Sequence, residues 1–215
     1  MSVNRLVRLS AYYLERLGLS SYRRQLVFYI RRPGPPQQPF SSPPGFEFHF
    51  VQPHELETLH YPGGWLQLHE ARQWLERGDS DLLAAIQQGR ICSYLWVERR
   101  IARIDYLALE APLPPQHVYI SKVLVAPQWR RLGLARSMYQ FLLNRESDLI
   151  YHSACVTENF PMHLLFSQLG WRPRLLLTIW KFTFLKRYSL EFLPERRVRR
   201  FLHLQHAAPI LFSGD

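Results

Sequence analysis

The stretch from Val118 to Leu143 restricts the possible folds most. It runs from an apolar strand (Val-Tyr-Ile-Ser-Lys-Val-Leu-Val) through a turn carrying Pro127, Arg130, Arg131 and Gly133 into an amphipathic helix that ends near Arg145. Proline gives no N–H to a sheet ladder, so Pro127 stops the strand. Gly133 lets the backbone come close to a ligand where a side chain would intrude. A strand that turns into a helix N-terminus gathers unpaired N–H groups and the positive end of a helix dipole at one point. With Arg130, Arg131 and Arg136 around it, that point suits an anion, phosphate above all.

Two segments carry a resemblance to a known family. Val125-x-Pro127 followed by Arg130-x-x-Gly133-x-Ala135 resembles the acyl-CoA binding motif of the Gcn5-related N-acetyltransferase (GNAT) superfamily. About twenty-five residues on, Asn159, Leu165, Leu169 and Gly170 match its later segment, while Met162, Phe166 and Trp171 depart from it. The resemblance covers roughly residues 46–187. It implies an α/β fold with a mixed, mostly antiparallel central sheet splayed between its fourth and fifth strands. It implies acetyl-CoA or another acyl-CoA as cosubstrate, with the backbone of Val123, Leu124 and Val125 bonding the pantetheine arm. The turn Arg130, Arg131, Leu132, Gly133, Leu134, Ala135 and Arg136 would wrap the diphosphate. Asn159, which in the family contacts the pantetheine arm or caps the helix, and the position of Phe166 complete the coenzyme site. In the family a tyrosine at that last position can protonate the departing thiolate, which Phe166 cannot do.

A base is also missing from its usual place. Some relatives carry a glutamate six residues before the Val of Val-x-Pro, and here that position is Tyr119. Strand alternation puts Tyr119, Ser121 and Val123 on one face, so hydroxyls stand where a carboxylate is expected. A tyrosine needs a strongly lowered pKa to act as a base. His152 is a titratable candidate beside Tyr119 and Ser121; His117 and Glu158 are further ones, each with an ordinary structural role open to it. Water chains without a dedicated base also satisfy the chemistry.

The net charge is +10, yet between residues 33 and 180 acidic and basic residues cancel. Excess charge confined to the ends argues against nucleic acid and for ends held at an anionic surface. Residues 2–32 read as a helix broken near Gly18, with Leu6, Leu9, Tyr13 and Leu17 at helical spacing and arginines flanking them. Its two readings are a membrane-interface helix and a helix packed on protein. Residues 33–45 are proline-rich and read as a semi-rigid linker and domain boundary. A basic tail follows residue 187, with 194–202 as a short helix that either joins the first at a membrane or stays solvated. Two cysteines, Cys92 and Cys155, in apolar runs fit buried thiols in a reducing compartment. No signal peptide or membrane-spanning run is apparent, so a cytoplasmic location is expected.

Within the body, residues 46–51 alternate as a first strand, Pro53 opens a helix, and 66–77 form a second with Leu68, Trp74 and Leu75 inward. Residues 81–98 signal a hairpin turning at Gln88-Gly89. Strands follow at 101–109, 149–156 and 174–186. No metal-ligand spacing appears. The leading expectation is an acyl-CoA dependent N-acyltransferase acting on a primary amine of a small molecule, amino sugar or lipid-linked precursor. Two alternatives stand beside it: a catalytically weak GNAT-fold module that binds CoA or serves as a scaffold, and an enzyme drawing on acyl carrier protein. A homodimer is compatible with all three.

Overall fold

The computed structural model describes residues 21–34, 40–60, 66–182, 185–193, 195, 197–201, 203 and 208–212. Eleven strands and four α-helices are defined in them. In chain order they are β1 (Ser21–Arg31), β2 (Glu47–Val51), α1 (Leu68–Arg77), β3 (Ser80–Gln87), β4 (Arg90–Glu98), β5 (Ile101–Ile104), β6 (Leu109–Pro112), β7 (His117–Val125), α2 (Leu134–Arg145), β8 (Ile150–Val156), α3 (Phe160–Gln168), β9 (Arg172–Phe182), β10 (Leu185–Phe192), β11 (Arg197–Phe201) and α4 (Ala208–Leu211). Nine strands form one sheet in the order β11-β10-β9-β1-β8-β7-β4-β3-β2, and β5 and β6 form a separate hairpin. Every pairing in the large sheet is antiparallel except β7 with β8.

The two ends of the chain depart from expectation. Residues 21–31 were expected to be helical, but they form β1, in the middle of the sheet between β8 and β9. Leu26-Val-Phe-Tyr-Ile30 is apolar on both faces, as a strand with neighbours on both sides requires. A continuous apolar run of this length has no period that separates strand from helix. Leu26 and Phe28 pack on one face and Tyr29 on the other. The proline-rich stretch therefore joins two strands of one sheet and is no domain boundary. The basic tail is likewise part of the sheet through β10 and β11, where a helix was expected over 194–202. Residues 1–20, the first half of the expected membrane helix, lie outside the described residues.

One face of the sheet is covered by α2 and α3, which bury Leu134, Met138, Tyr139, Leu142 and Phe166 against Leu83, Leu95, Val118 and Ile120. On the other face α1 covers β3 and β4, with Trp74 edge-on to Trp96 at 5.0 Å. Beside it the β5–β6 hairpin and the C-terminal residues Leu211 and Phe212 cover β1, β7 and β9. Leu68, expected inside, is 47% exposed because it begins α1 on the outer side. The hairpin at Gln88-Gly89 is as expected, both residues adopting positive φ.

Candidate functional site

The site begins where β7 and β8 separate. They pair only from His117 with Ile150 to Ile120 with Ser153, and the Ser153 hydroxyl donates to the Ile120 carbonyl at 2.9 Å. Past this fork β7 stays with β4 as far as Val125 beside Ser93, and β8 stays with β1 as far as Val156 beside Leu26. Counted from β2, these are the fourth and fifth strands of the sheet. The wedge between them is a cavity of about 250 Å³, lined by Ser121 and Val123 of β7, Cys155 of β8, and Asn159 and Met162 at the start of α3.

A bulge in β7 shapes the cavity. From Trp96 beside Ser121 to Tyr94 beside Leu124, β7 uses one more residue than β4, and Lys122 takes φ +47°. An extra residue reverses side-chain alternation beyond it. Val118 and Ile120 point toward α2, and so do Val123 and Val125, while Tyr119 packs on the opposite face and Leu124 joins the α1 side. The expectation that Tyr119 and Ser121 share a face with Val123 is therefore corrected. The Lys122 ammonium lies 3.4 Å from Asp105, 3.7 Å from Glu70 and 4.1 Å from the centre of the Trp74 ring. It ties α1 and the β5–β6 hairpin over the bulge.

Beyond β7, Pro127–Trp129 form a 3-10 turn and Arg130 Nε donates to the Val125 carbonyl at 3.2 Å. Arg131 and Gly133 both adopt left-handed φ, +67° and +80°. Alternation of this kind turns successive N–H groups toward one concave point. Ser137 N–H bonds to the Gly133 carbonyl, and the earlier N–H groups of Leu134, Ala135 and Arg136 have no acceptor within the helix. A Cβ at Gly133 would meet nothing within 4 Å, so the turn is uncrowded at that point. Leu132 is half exposed beside them. Asn159 caps α3, its Oδ1 accepting Met162 N–H at 3.4 Å, and also lines the cavity. Phe166 is fully buried among Tyr29, Tyr139 and Trp171 and does not line the cavity.

Tyr119 is 3% exposed, and burial, with the nearby Glu98 carboxyl, holds its pKa well above the ordinary tyrosine value. It stays a phenol at neutral pH, which corrects the proposal of Tyr119 as base. His152 Nε2 lies 2.9 Å from His117 Nδ1, one ring donating to the other. Its edge meets Phe212, and it is absent from the cavity lining. Burial and the neighbouring His117 push the His152 pKa down to about 3, so it is neutral. Glu158 is exposed outside the cavity.

The carboxylate missing from Tyr119 is supplied by the next strand. Glu98, the last residue of β4, pairs with Tyr119 across the ladder and so points to the same face. It is fully buried; Oε1 accepts the Ser121 hydroxyl at 2.6 Å and Oε2 accepts the Arg103 N–H. Burial pushes its pKa up to about 7, against the opposing pull of those two hydrogen bonds and the Arg103 charge. Ser121 connects it to the cavity. A lone acidic residue ending an otherwise apolar strand was the one signal in the sequence, and only the β4–β7 register gives it meaning.

The model of the acetyltransferase (GNAT) family matches residues 50–171, more than half of the chain. No curated protein matches the chain. Among solved structures, a GCN5-related N-acetyltransferase from Sphaerobacter thermophilus is 14% identical (TM-score 0.49), covering 85% of this chain and 57% of its own. A Drosophila protein is 14% identical (TM-score 0.48; 84% and 57% covered). A GNAT-family protein from Novosphingobium aromaticivorans is 17% identical (TM-score 0.47; 73% and 63% covered). The chain thus spans less than two thirds of the length of each of these three structures. By its match to the family model, the chain belongs to the acetyltransferase (GNAT) family.

Proposed function

We propose that the protein is an acyl-CoA dependent N-acyltransferase whose proton acceptor is Glu98, acting through Ser121. One observation carries the reading: a fully buried carboxyl group, hydrogen-bonded to a hydroxyl that lines the β7–β8 cavity. Acyl-CoA supplies an activated acyl group as a thioester. The residues present fit such a donor. The turn at Arg131–Ala135 offers open N–H groups for a diphosphate, and the wedge beyond Ile120 exposes the edge of β7 to an extended arm.

The rest of the chemistry falls to the chain. Ser121 Oγ, while donating to Glu98, has lone pairs free to accept a proton from an amine entering the cavity. As it accepts that proton it passes its own to Glu98, so no charge is left on the serine. A carboxyl pKa of about 7 leaves much of the group ionised at neutral pH, yet basic enough to hold the proton. The Lys122 ammonium offsets part of the negative charge of Asp105 and Glu70 at the bulge. The acceptor in this reading is a primary amine and the donor acetyl-CoA.

The test follows release of free CoA thiol from acetyl-CoA with a panel of primary amines, in parallel with CoA calorimetry. Wild type is expected to bind CoA and turn over at least one amine. Glu98→Gln and Ser121→Ala are expected to bind CoA as well as wild type and to lose turnover. Undiminished turnover in Glu98→Gln rejects the assignment; CoA binding without turnover of any amine favours the binding-module reading.

A further inference from the structure

We propose that a second, smaller cavity, between α2 and the end of α3, is a binding site for a small oxyanion, a phosphoryl or carboxylate group, held by Arg31 and Arg136. The proposal does not depend on acyl transfer. Arg31 is the last residue of β1 and only 5% exposed. Its Nε donates to the Leu169 carbonyl at 3.2 Å, at the C-terminal end of α3. Its Nη1 is buried and has no hydrogen-bond partner among the described residues. Among the described residues no carboxylate lies within ion-pair distance of this guanidinium. Buried charges are ordinarily paired, because desolvation without a counter-charge is costly. Burial accordingly lowers the Arg31 pKa, with only the weak opposing influence of Tyr151.

The cavity beside it, of about 50 Å³, supplies room for the missing partner. Its polar lining is Arg31, Arg136, Gln140, Asn144 and Gln168. Residues 136, 140 and 144 recur every four positions and form one stripe of α2. The lining thus carries two guanidinium groups and three carboxamides and no acidic residue, a donor-rich set that matches the oxygens of a single oxyanion. It shares no residue with the β7–β8 cavity. Arg136, which the family resemblance assigns to the coenzyme, is here the second cation of this site.

Thermal unfolding with inorganic phosphate, against sodium chloride at equal ionic strength, tests the proposal. Phosphate at ten times its Kd is expected to raise the wild-type Tm by roughly 3–6 °C, saturably. Arg31→Gln is expected to abolish that rise. Because Arg31→Gln also removes the bond to Leu169 and risks misfolding, Gln140→Glu gives an independent reading. It places a carboxylate in the cavity, so its Tm without phosphate should exceed that of wild type, and its phosphate response should vanish. A phosphate shift that survives in both variants, or one matched by chloride in wild type, overturns the site. Repeating the titration with saturating CoA separates the sources. A shift that adds to that of CoA identifies a free oxyanion, and a wild-type shift that saturating CoA removes identifies a phosphate of the coenzyme in the same site.

Discussion

Two buried polar pairs flank β7, and they do opposite things. On the β4 side, Glu98 and Ser121 adjoin an open cavity; on the β8 side, His117 and His152 sit where the two strands are still paired. Both pairs are withdrawn from solvent, and burial moves both titrations, the carboxyl up to about 7 and the His152 imidazole down to about 3. Only the first shift brings a group into the range where it gains and loses a proton near neutrality. Burial favours the neutral form of each group; access to substrate decides which one is useful.

The comparison breaks most visibly at catalysis. Replacing Glu98 by Gln is expected to lower kcat/KM by ~10²–10⁴-fold, the usual weight of a positioned base, while His152→Gln retains turnover within about threefold when measured below its unfolding temperature. Equal losses in the two variants would erase the distinction. Removing the wall over the histidines is expected to act on stability alone. Phe212→Ala should cost about 3–5 kcal/mol in chemical denaturation, because the ring is 2% exposed and meets both Tyr119 and His152. A near-neutral result would mean that the C-terminal segment does not pack on β7.

The pairs should also move stability with pH in opposite directions. The Glu98 pKa is raised, so its contribution is complete below the ordinary value of 4.5 and is lost as pH rises through about 7; Glu98→Gln should flatten that loss. The His152 pKa is depressed, so its contribution is complete above 6.5 and is lost as pH falls toward about 3. Urea midpoints of wild type, Glu98→Gln and His152→Gln between pH 4 and 9 check both signs. The smallest effect is expected at the mouth of the cavity. Gly133→Ala forces a side chain into left-handed φ and should cost ~1–2 kcal/mol of stability while weakening CoA binding, measured by calorimetry. Unchanged CoA affinity there would separate the turn from the coenzyme.

What was legible in the sequence was local. The strand, turn and helix around Gly133, the Asn159 cap and the hairpin at Gly89 each depend on residues within one turn or one short loop. What escaped depended on partners far along the chain. β1 is a strand because β8 and β9, some 120 and 150 residues later, receive it. Glu98 matters because the register sets it beside Tyr119. The extra residue at Lys122 inverts the alternation that would otherwise align Tyr119 with Val123. Phe166 stands where the family carries a tyrosine, yet the packing of three aromatic neighbours turns it into the core.

The most direct measurement is kcat/KM for acetyl transfer to an amine as a function of pH, in wild type and Glu98→Gln. The wild-type profile should rise through a limb near pH 7 that the variant lacks, with the variant lower by ~10²–10⁴-fold at the plateau. Superimposable profiles, with the limb near 7 intact in Glu98→Gln, would contradict the assignment of Glu98 as the proton acceptor.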